Sequence, residues 1–251
     1  MKGGVIMIGS LFWDSQVEGR KSWWEHLDFS QKIRVALPIR YGRSSSKNRK
    51  HTYSMVFSNE LEKSKRMGYG YVIPFIKETN TKEDFQAEVI ALAKAEGFEG
   101  NRIGANWGVT CLKINPRIKP SSVSIIMDYW NNLITNKINQ NLLNIEDFGG
   151  EAEDKSVTDN YMLNISDSIF KQISGLDYVL ATSNALKHRK TEEIKYPNFK
   201  EIARAMYEGN YYEYFLRNRM HRITTYEDRL ISKILKKKYR IVLKDERKKW
   251  T

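Results

Sequence analysis

The sequence predicts an α+β fold, and three observations carry that expectation. Strand-like segments crowd the first 75 residues, a single capped amphipathic helix follows them, and from about Ser121 the texture turns helical. The architecture these imply is a small mixed β-barrel or strongly curved sheet with one helix against it over residues 1–120. A mainly helical, basic extension then occupies residues 121–251. At 251 residues the chain is long for one compact domain and short for three, which fits one domain with a large extension, or two.

The elements follow in chain order. Residues 4–8 are short and apolar, and the run 5–13 superficially resembles a signal-peptide core. Gly9 and Ser10 break it and Asp14 follows without a small-residue cleavage site, so it reads as a first strand. Further strands are expected at 33–39, 52–57 and 69–75, with a turn-like stretch at 41–50 containing Gly42 and three serines. Thr81 with Asp84 three residues later is a capping-box start, and Phe85, Val89, Leu92 and Ala93 recur at helical spacing up to Gly97, a natural C′ residue. A strand at 107–114 is closed by Asn115 and Pro116. Beyond it, Val123, Ile126, Met127, Trp130, Leu133 and Ile134 form one helical apolar face. The acidic, Gly-containing stretch 145–154 reads as a loop or soft boundary, and helices are expected at 166–173, 199–207, 211–217 and 226–235.

Composition removes several classes of function. With 41% hydrophobic and 12% aromatic residues the chain is neither disordered nor fibrous. No segment approaches the roughly 18–20 apolar residues that cross a bilayer. Cys111 is the sole cysteine and cannot form an intramolecular disulfide, which suggests a reducing, cytoplasmic setting. One Cys with four scattered His offers no zinc-ligand spacing, and no cofactor motif is present. The net charge of +12 is uneven: residues 217–251 hold 13 Lys/Arg against 4 Asp/Glu. Residues 30–58 carry Lys32, Arg34, Arg40, Arg43, Lys47, Arg49 and Lys50 with no acid. Such fields attract nucleic acid, anionic membranes or anionic small molecules.

Two features carry candidate chemistry. The apolar strand ends in Gly9, Ser10 and Leu11, where a glycine lets backbone N–H groups converge on one point and hold a carboxylate or phosphate. Glu96, in Leu92-Ala93-Lys94-Ala95-Glu96-Gly97, falls on the core-facing stripe of its helix and at its C-terminus. Burial and the negative end of the helix dipole both disfavour ionisation there and raise the carboxyl pKa, as a proton shuttle requires.

Taken together, their types, order and separation of about 85 residues resemble the gamma-glutamylcyclotransferase-like family over about residues 4–115. Members carry Tyr-Gly-Ser-Leu after the first strand and Leu-Asp-x-x-Glu-Gly later. Gly9-Ser10-Leu11 matches the first motif with Ile8 in the place of Tyr, and residues 92–97 match the second with Ala93 in the place of Asp. The resemblance implies a β-barrel of that family's type and an intramolecular cyclisation. The α-amine of a γ-glutamyl group attacks its own γ-carbonyl, releasing 5-oxoproline and an amine, without metal or cofactor. Glu96 would be the acid/base and Gly9, Ser10 and Leu11 would bind substrate through backbone N–H groups. Arg40 and Arg43 are the cations expected to draw in an anionic substrate.

A rival from another class uses the same fold as a nucleic-acid-binding module through residues 217–251, with the pocket inactive or serving a modified base. The aromatic cluster Tyr207, Tyr211, Tyr212, Tyr214 and Phe215, followed by Arg217, Arg219 and Arg222, has the ingredients for stacking and phosphate contacts. It is equally what a helical core with a polar rim requires, and that is the reading adopted here. Ser10 lacks a Gly-x-Ser-x-Gly elbow and an assignable His base, which disfavours a serine hydrolase.

Overall fold

The computed structural model describes residues 1–136, 148, 155–189 and 195–241. Eight strands are present among them: β1 (Gly3–Met7), β2 (Ile33–Leu37), β3 (Ile39–Ser44), β4 (Tyr53–Phe57), β5 (Gly68–Pro74), β6 (Gly104–Ala105), β7 (Gly108–Ile114) and β8 (Tyr178–Asn184). Six make one mixed sheet in the order β2-β5-β1-β8-β7-β6, and β3 and β4 form a separate antiparallel hairpin. β1 runs antiparallel to β5 and parallel to β8, with Val5 opposite Ile73 on one side and Leu180 on the other. Every residue of β1 is buried, which is why its sequence is continuously apolar rather than alternating.

The α+β class is as expected, but no pairing among the described residues closes the sheet into a barrel. Its edges are β2 and β6.

Helix α3 (Lys82–Glu96), the fold's first long one, starts on the anticipated capping box, with Asp84 N–H donating to Thr81 and Asp84 accepting from the Thr81 N–H. It ends at Gly97 with φ 92°, the left-handed conformation that glycine adopts without cost. Phe85, Val89, Leu92, Ala93 and Ala95 are its buried face. Ala93, where the family motif has an acid, is fully buried, so a small side chain is what fits there. Helix α4 (Pro120–Ile134) lies against α3, burying Ile126, Trp130 and Leu133, and the Trp130 indole donates to the Asn160 carbonyl at 2.8 Å.

Several expectations are corrected. The strand expected at 33–39 is two, because Pro38 has no N–H to give a ladder and divides β2 from β3. The turn expected from Tyr41 starts later: β3 continues to Ser44 through a register shift between Tyr41 and Arg43 that leaves Gly42 as a bulge. The first strand stops at Met7, and residues Gly9–Phe12 form a short 3₁₀ turn instead. Two short helices, α1 (Arg20–Trp24) and α2 (Glu60–Lys63), have no sequence signal. β8 was not anticipated, and it lies between β1 and β7 in the sheet, so residues 121–251 are not a helical extension alone. They supply a central strand, and the division at residue 120 does not divide the sheet.

Helices α5 (Ile169–Gln172), α6 (Phe199–Gly209), α7 (Glu213–Met220) and α8 (Asp228–Tyr239) fall where helical spacing puts them. Ile202, Ala203 and Met206 of α6 and Ile231 and Leu235 of α8 are buried as those helices pack together. Most of the soft boundary at 145–154 and the last ten residues of the basic tail lie outside the described residues. No described helix is long and apolar enough to cross a membrane.

Candidate active site

The end of β1, the C-terminus of α3, the loop after β3 and the end of β8 surround a cleft of about 780 Å³. Its lining includes Ser10, Leu11, Arg43 and Glu96, so four of the six residues singled out in the sequence share one cavity.

Glu96 is the last residue of α3, and its side chain is 18% exposed. Thr182 Oγ1, on β8, donates to Glu96 Oε1 at 3.1 Å, and Arg20 Nη2 stands 3.6 Å from Oε2. The expectation of apolar surroundings therefore needs Arg20 added to it. That guanidinium, 3% exposed, donates from Nε to the Ala95 carbonyl at 2.9 Å and from Nη1 to the Ser10 and Asp14 carbonyls, each at 3.2 Å. Ala95 belongs to the last turn of α3, whose carbonyls lack intrahelical partners, so a cation there answers both the helix end and the Glu96 carboxylate. Burial pushes the Arg20 pKa below its ordinary value and the nearby Arg49 adds to this, while Glu96 and Asp14 oppose it. Fixed between Glu96 and Ser10, Arg20 is the side chain that brings the two sequence motifs together.

A second arginine completes this wall. Arg49 Nη2 donates to Ser10 Oγ at 3.0 Å, lies 3.4 Å from Asp14 Oδ2, and its guanidinium sits over the Tyr214 ring at 5.3 Å. Ser10 Oγ thus accepts from an arginine, and no described hydrogen bond joins it to a histidine, although His51 lines the same cleft. Buried Tyr214 accepts from the Met55 N–H at 3.2 Å. Gly9 makes room for it and does not itself line the cleft: its φ is +68°, and a Cβ there would meet the Tyr214 hydroxyl at 2.2 Å.

Arg43 and Arg40 part company. Arg43 lines the cleft and donates from Nη1 to the Ala185 carbonyl at 2.9 Å. Arg40 does not line it. Its guanidinium lies 4.3 Å from the Tyr196 ring centre, 3.5 Å from Glu60 and 3.6 Å from Glu227. The bulge at Gly42 cancels the alternation that three residues would otherwise give, so Arg40 opposite Val56 and Arg43 opposite Ser54 keep one strand face, and their positions along the strand send them to different partners.

Arg20 and Arg49 are the residues that sequence reasoning passed over. Arg20 sits on a five-residue helix without apolar periodicity, and only the packing of α1 against α3 brings it to Glu96. Arg49 did carry a signal, since it belongs to the acid-free block 30–58 from which Arg40 and Arg43 were chosen. Among the described residues no three His, Cys, Asp or Glu lie close enough to hold a metal ion.

No family model, curated protein or solved structure matches this chain. A carboxylate held by a hydroxyl and a cation can exchange protons with a bound group, and the surrounding arginines favour a substrate with negative charge.

Proposed function

We propose that the cleft cyclises a γ-glutamyl amine or peptide to 5-oxoproline, with Glu96 as general acid/base. In this reading the open sheet and the β3–β4 hairpin are a divergent form of the gamma-glutamylcyclotransferase-type fold. One observation supports the reading above the others: Arg20 ties the Glu96 carboxylate to the Ser10 turn across a single cleft wall. Glu96 takes a proton from the substrate's α-ammonium, and the freed amine attacks the γ-carbonyl carbon. A C–N bond to the α-nitrogen forms, that nitrogen gives up a second proton as the tetrahedral intermediate collapses, the bond to the leaving nitrogen breaks, and the two protons pass by way of Glu96 to the leaving nitrogen, which departs as an ammonium. No oxidant or second substrate enters the balance. Ser10 and Leu11 contact the glutamyl group in this scheme, Arg49 meets its α-carboxylate, and Thr182 and Arg20 orient Glu96. Holding both ends of one short chain together supplies most of the entropy for ring closure.

An assay of 5-oxoproline release from a panel of γ-glutamyl substrates tests this. Glu96→Gln keeps the shape and is expected to lower turnover by about 10²-fold or more. Turnover unchanged in a variant that melts like the wild type would overturn the assignment.

A second reading has one observation in its favour. Lys233, Lys236, Lys237, Lys238 and Arg240 are exposed on and just after α8, beside the stacked rings of Tyr207 and Tyr239, whose centres are 4.2 Å apart. Basic side chains beside an aromatic pair suit a nucleic-acid backbone and bases. That surface is outside the lining of the cleft, so it would act beside the cleft's chemistry rather than through it.

A further inference from the structure

We propose that the Tyr214 hydroxyl is a catalytic hydrogen-bond donor in the cleft, serving the carbonyl oxygen that gains negative charge as the ring closes. The role rests on the cyclotransferase reading and adds to it a residue from the second half of the chain.

Placement is the first argument. Tyr214 belongs to α7, is 5% exposed, and lines the cleft together with Ser10, Arg49 and Glu96. Its hydroxyl stands against the Ser10 turn, so close to Gly9 that a Cβ there would collide with it. Ile8, just before that glycine, also lines the cleft and brings no polar group, so α7 supplies the phenol that the end of the first strand lacks. A separate contact fixes α7 to the turn. Trp13 Nε1 donates to Oδ1 of buried Asn218 at 2.7 Å, and the Trp13 and Tyr214 ring centres are 6.1 Å apart.

Hydrogen bonding is the second. The phenol oxygen accepts the Met55 N–H at 3.2 Å, and among the described residues no hydrogen bond takes the phenol's own proton. Chained hydrogen bonds strengthen one another, so an oxygen that already holds a donor is itself a better donor. The Arg49 guanidinium, 5.3 Å from the ring centre, favours the charge that shifts onto the phenol as it donates. A substrate ammonium would find this oxygen already bonded, whereas a carbonyl oxygen finds a proton.

Charge is the third. Burial raises the Tyr214 pKa above its ordinary value against the Met55 bond, Arg49 and Asn218, and Glu96 adds to the rise. The phenol therefore keeps its proton, as a donor must, and lies within the field of the acid/base. Glu96 carries the protons between the two nitrogens, and Tyr214 only shares its own with the tetrahedral oxyanion, so the balance of the reaction is unchanged.

The experiment sets the unaltered protein beside Tyr214→Phe on a γ-glutamyl amide and on the matching thioamide, in which sulfur replaces the γ-carbonyl oxygen, with amine release as the readout. The substitution keeps the ring under Arg49 and removes only the hydroxyl. On the amide, kcat is expected to fall by about 10²-fold or more while KM changes by less than about threefold. Sulfur is a weak acceptor, so the penalty that the thioamide suffers should shrink by about tenfold or more in the variant. Unchanged kcat in a variant that melts like the wild type, or an equal thioamide penalty in both proteins, would overturn the donor role and leave the cyclotransferase reading standing. If the unaltered protein releases no 5-oxoproline from any γ-glutamyl amide, both are overturned. Should Tyr214→Phe not fold, or the thioamide not turn over, 3-fluorotyrosine in place of Tyr214 decides. It keeps the hydroxyl and ionises at lower pH, so the alkaline fall in kcat should move to lower pH, and an unmoved profile rejects the role.

Discussion

At Gly9 two demands meet, a φ of +68° and a hydroxyl 2.2 Å from where a Cβ would stand. Gly97 has φ +92° with nothing within 4 Å of its Cβ position, so it shares the first demand and lacks the second. The pair therefore separates backbone strain from steric contact. Gly97→Ala should cost about 1 kcal/mol from strain alone, whereas Gly9→Ala adds the displacement of buried Tyr214 and should cost about 2–4 kcal/mol by urea unfolding. Because Tyr214 also receives the Met55 N–H, the Gly9 variant should lose catalytic rate as well, and equal costs for the two would contradict this account. Glu96 and Gly97 were legible in the sequence because helix periodicity and capping are local. Arg20 was not, because its partners at Ala95 and Glu96 lie about 75 residues away and nothing nearby announces them.

Among the elements, α8 is amphipathic in a way the sequence shows plainly. Ile231 and Leu235 face the core and the lysines face water. Removing the helix would expose those buried side chains, so its charge is better tested in place. Lys236→Gln, Lys237→Gln and Lys238→Gln together should weaken any binding to single-stranded DNA or RNA. The slope of log affinity against log salt should fall by up to about 2, since each lost phosphate contact releases about 0.7 of a counterion on single strands. No binding at low salt by the unaltered protein would remove the nucleic-acid reading. β8 shows the opposite case. Its sequence, Tyr-Val-Leu-Ala-Thr-Ser-Asn, is a short apolar run without alternation, which periodicity cannot tell from a buried helix segment. Only pairing with β1 and β7 decided it, and with it the placement of Thr182 beside Glu96.

At the scale of the whole molecule, β3 and α8 meet at a buried acidic pair. Glu227 is 2% exposed and Asp228 6% exposed, beside Arg40 and the Tyr41 and Tyr226 rings, with Arg219 and Glu60 near. Glu227 Oε2 and Asp228 Oδ2 are buried without a hydrogen-bond partner among the described residues. Burial raises Glu227 to about 7 against the pull of Arg40, and raises Asp228 to about 6 against its bonds to Thr225. Both folded values exceed the ordinary carboxylate ones, so the folded protein keeps protons that the unfolded chain has released. The stability tied to them is full below the ordinary carboxylate range and is lost as pH rises through about 6 and about 7. Glu227→Gln should therefore reduce the loss of stability between pH 5 and 8 by about 1–3 kcal/mol in denaturant titrations, and parallel curves for variant and wild type would refute it.

By itself the sequence determined the α+β class, most strands and helices, the α3 cap and the basic character of α8. Each of these depends on neighbours within a turn or two, or on a period of two or 3.6 residues. The tertiary structure alone decided that the sheet stays open, that β8 enters it from the second half of the chain, and that Arg43 faces the cleft while Arg40 turns to Glu60 and Glu227. It alone set Arg20 between Glu96 and Ser10. Those outcomes depend on contacts between residues far apart in the chain, where long-range pairing and burial outweigh local preference.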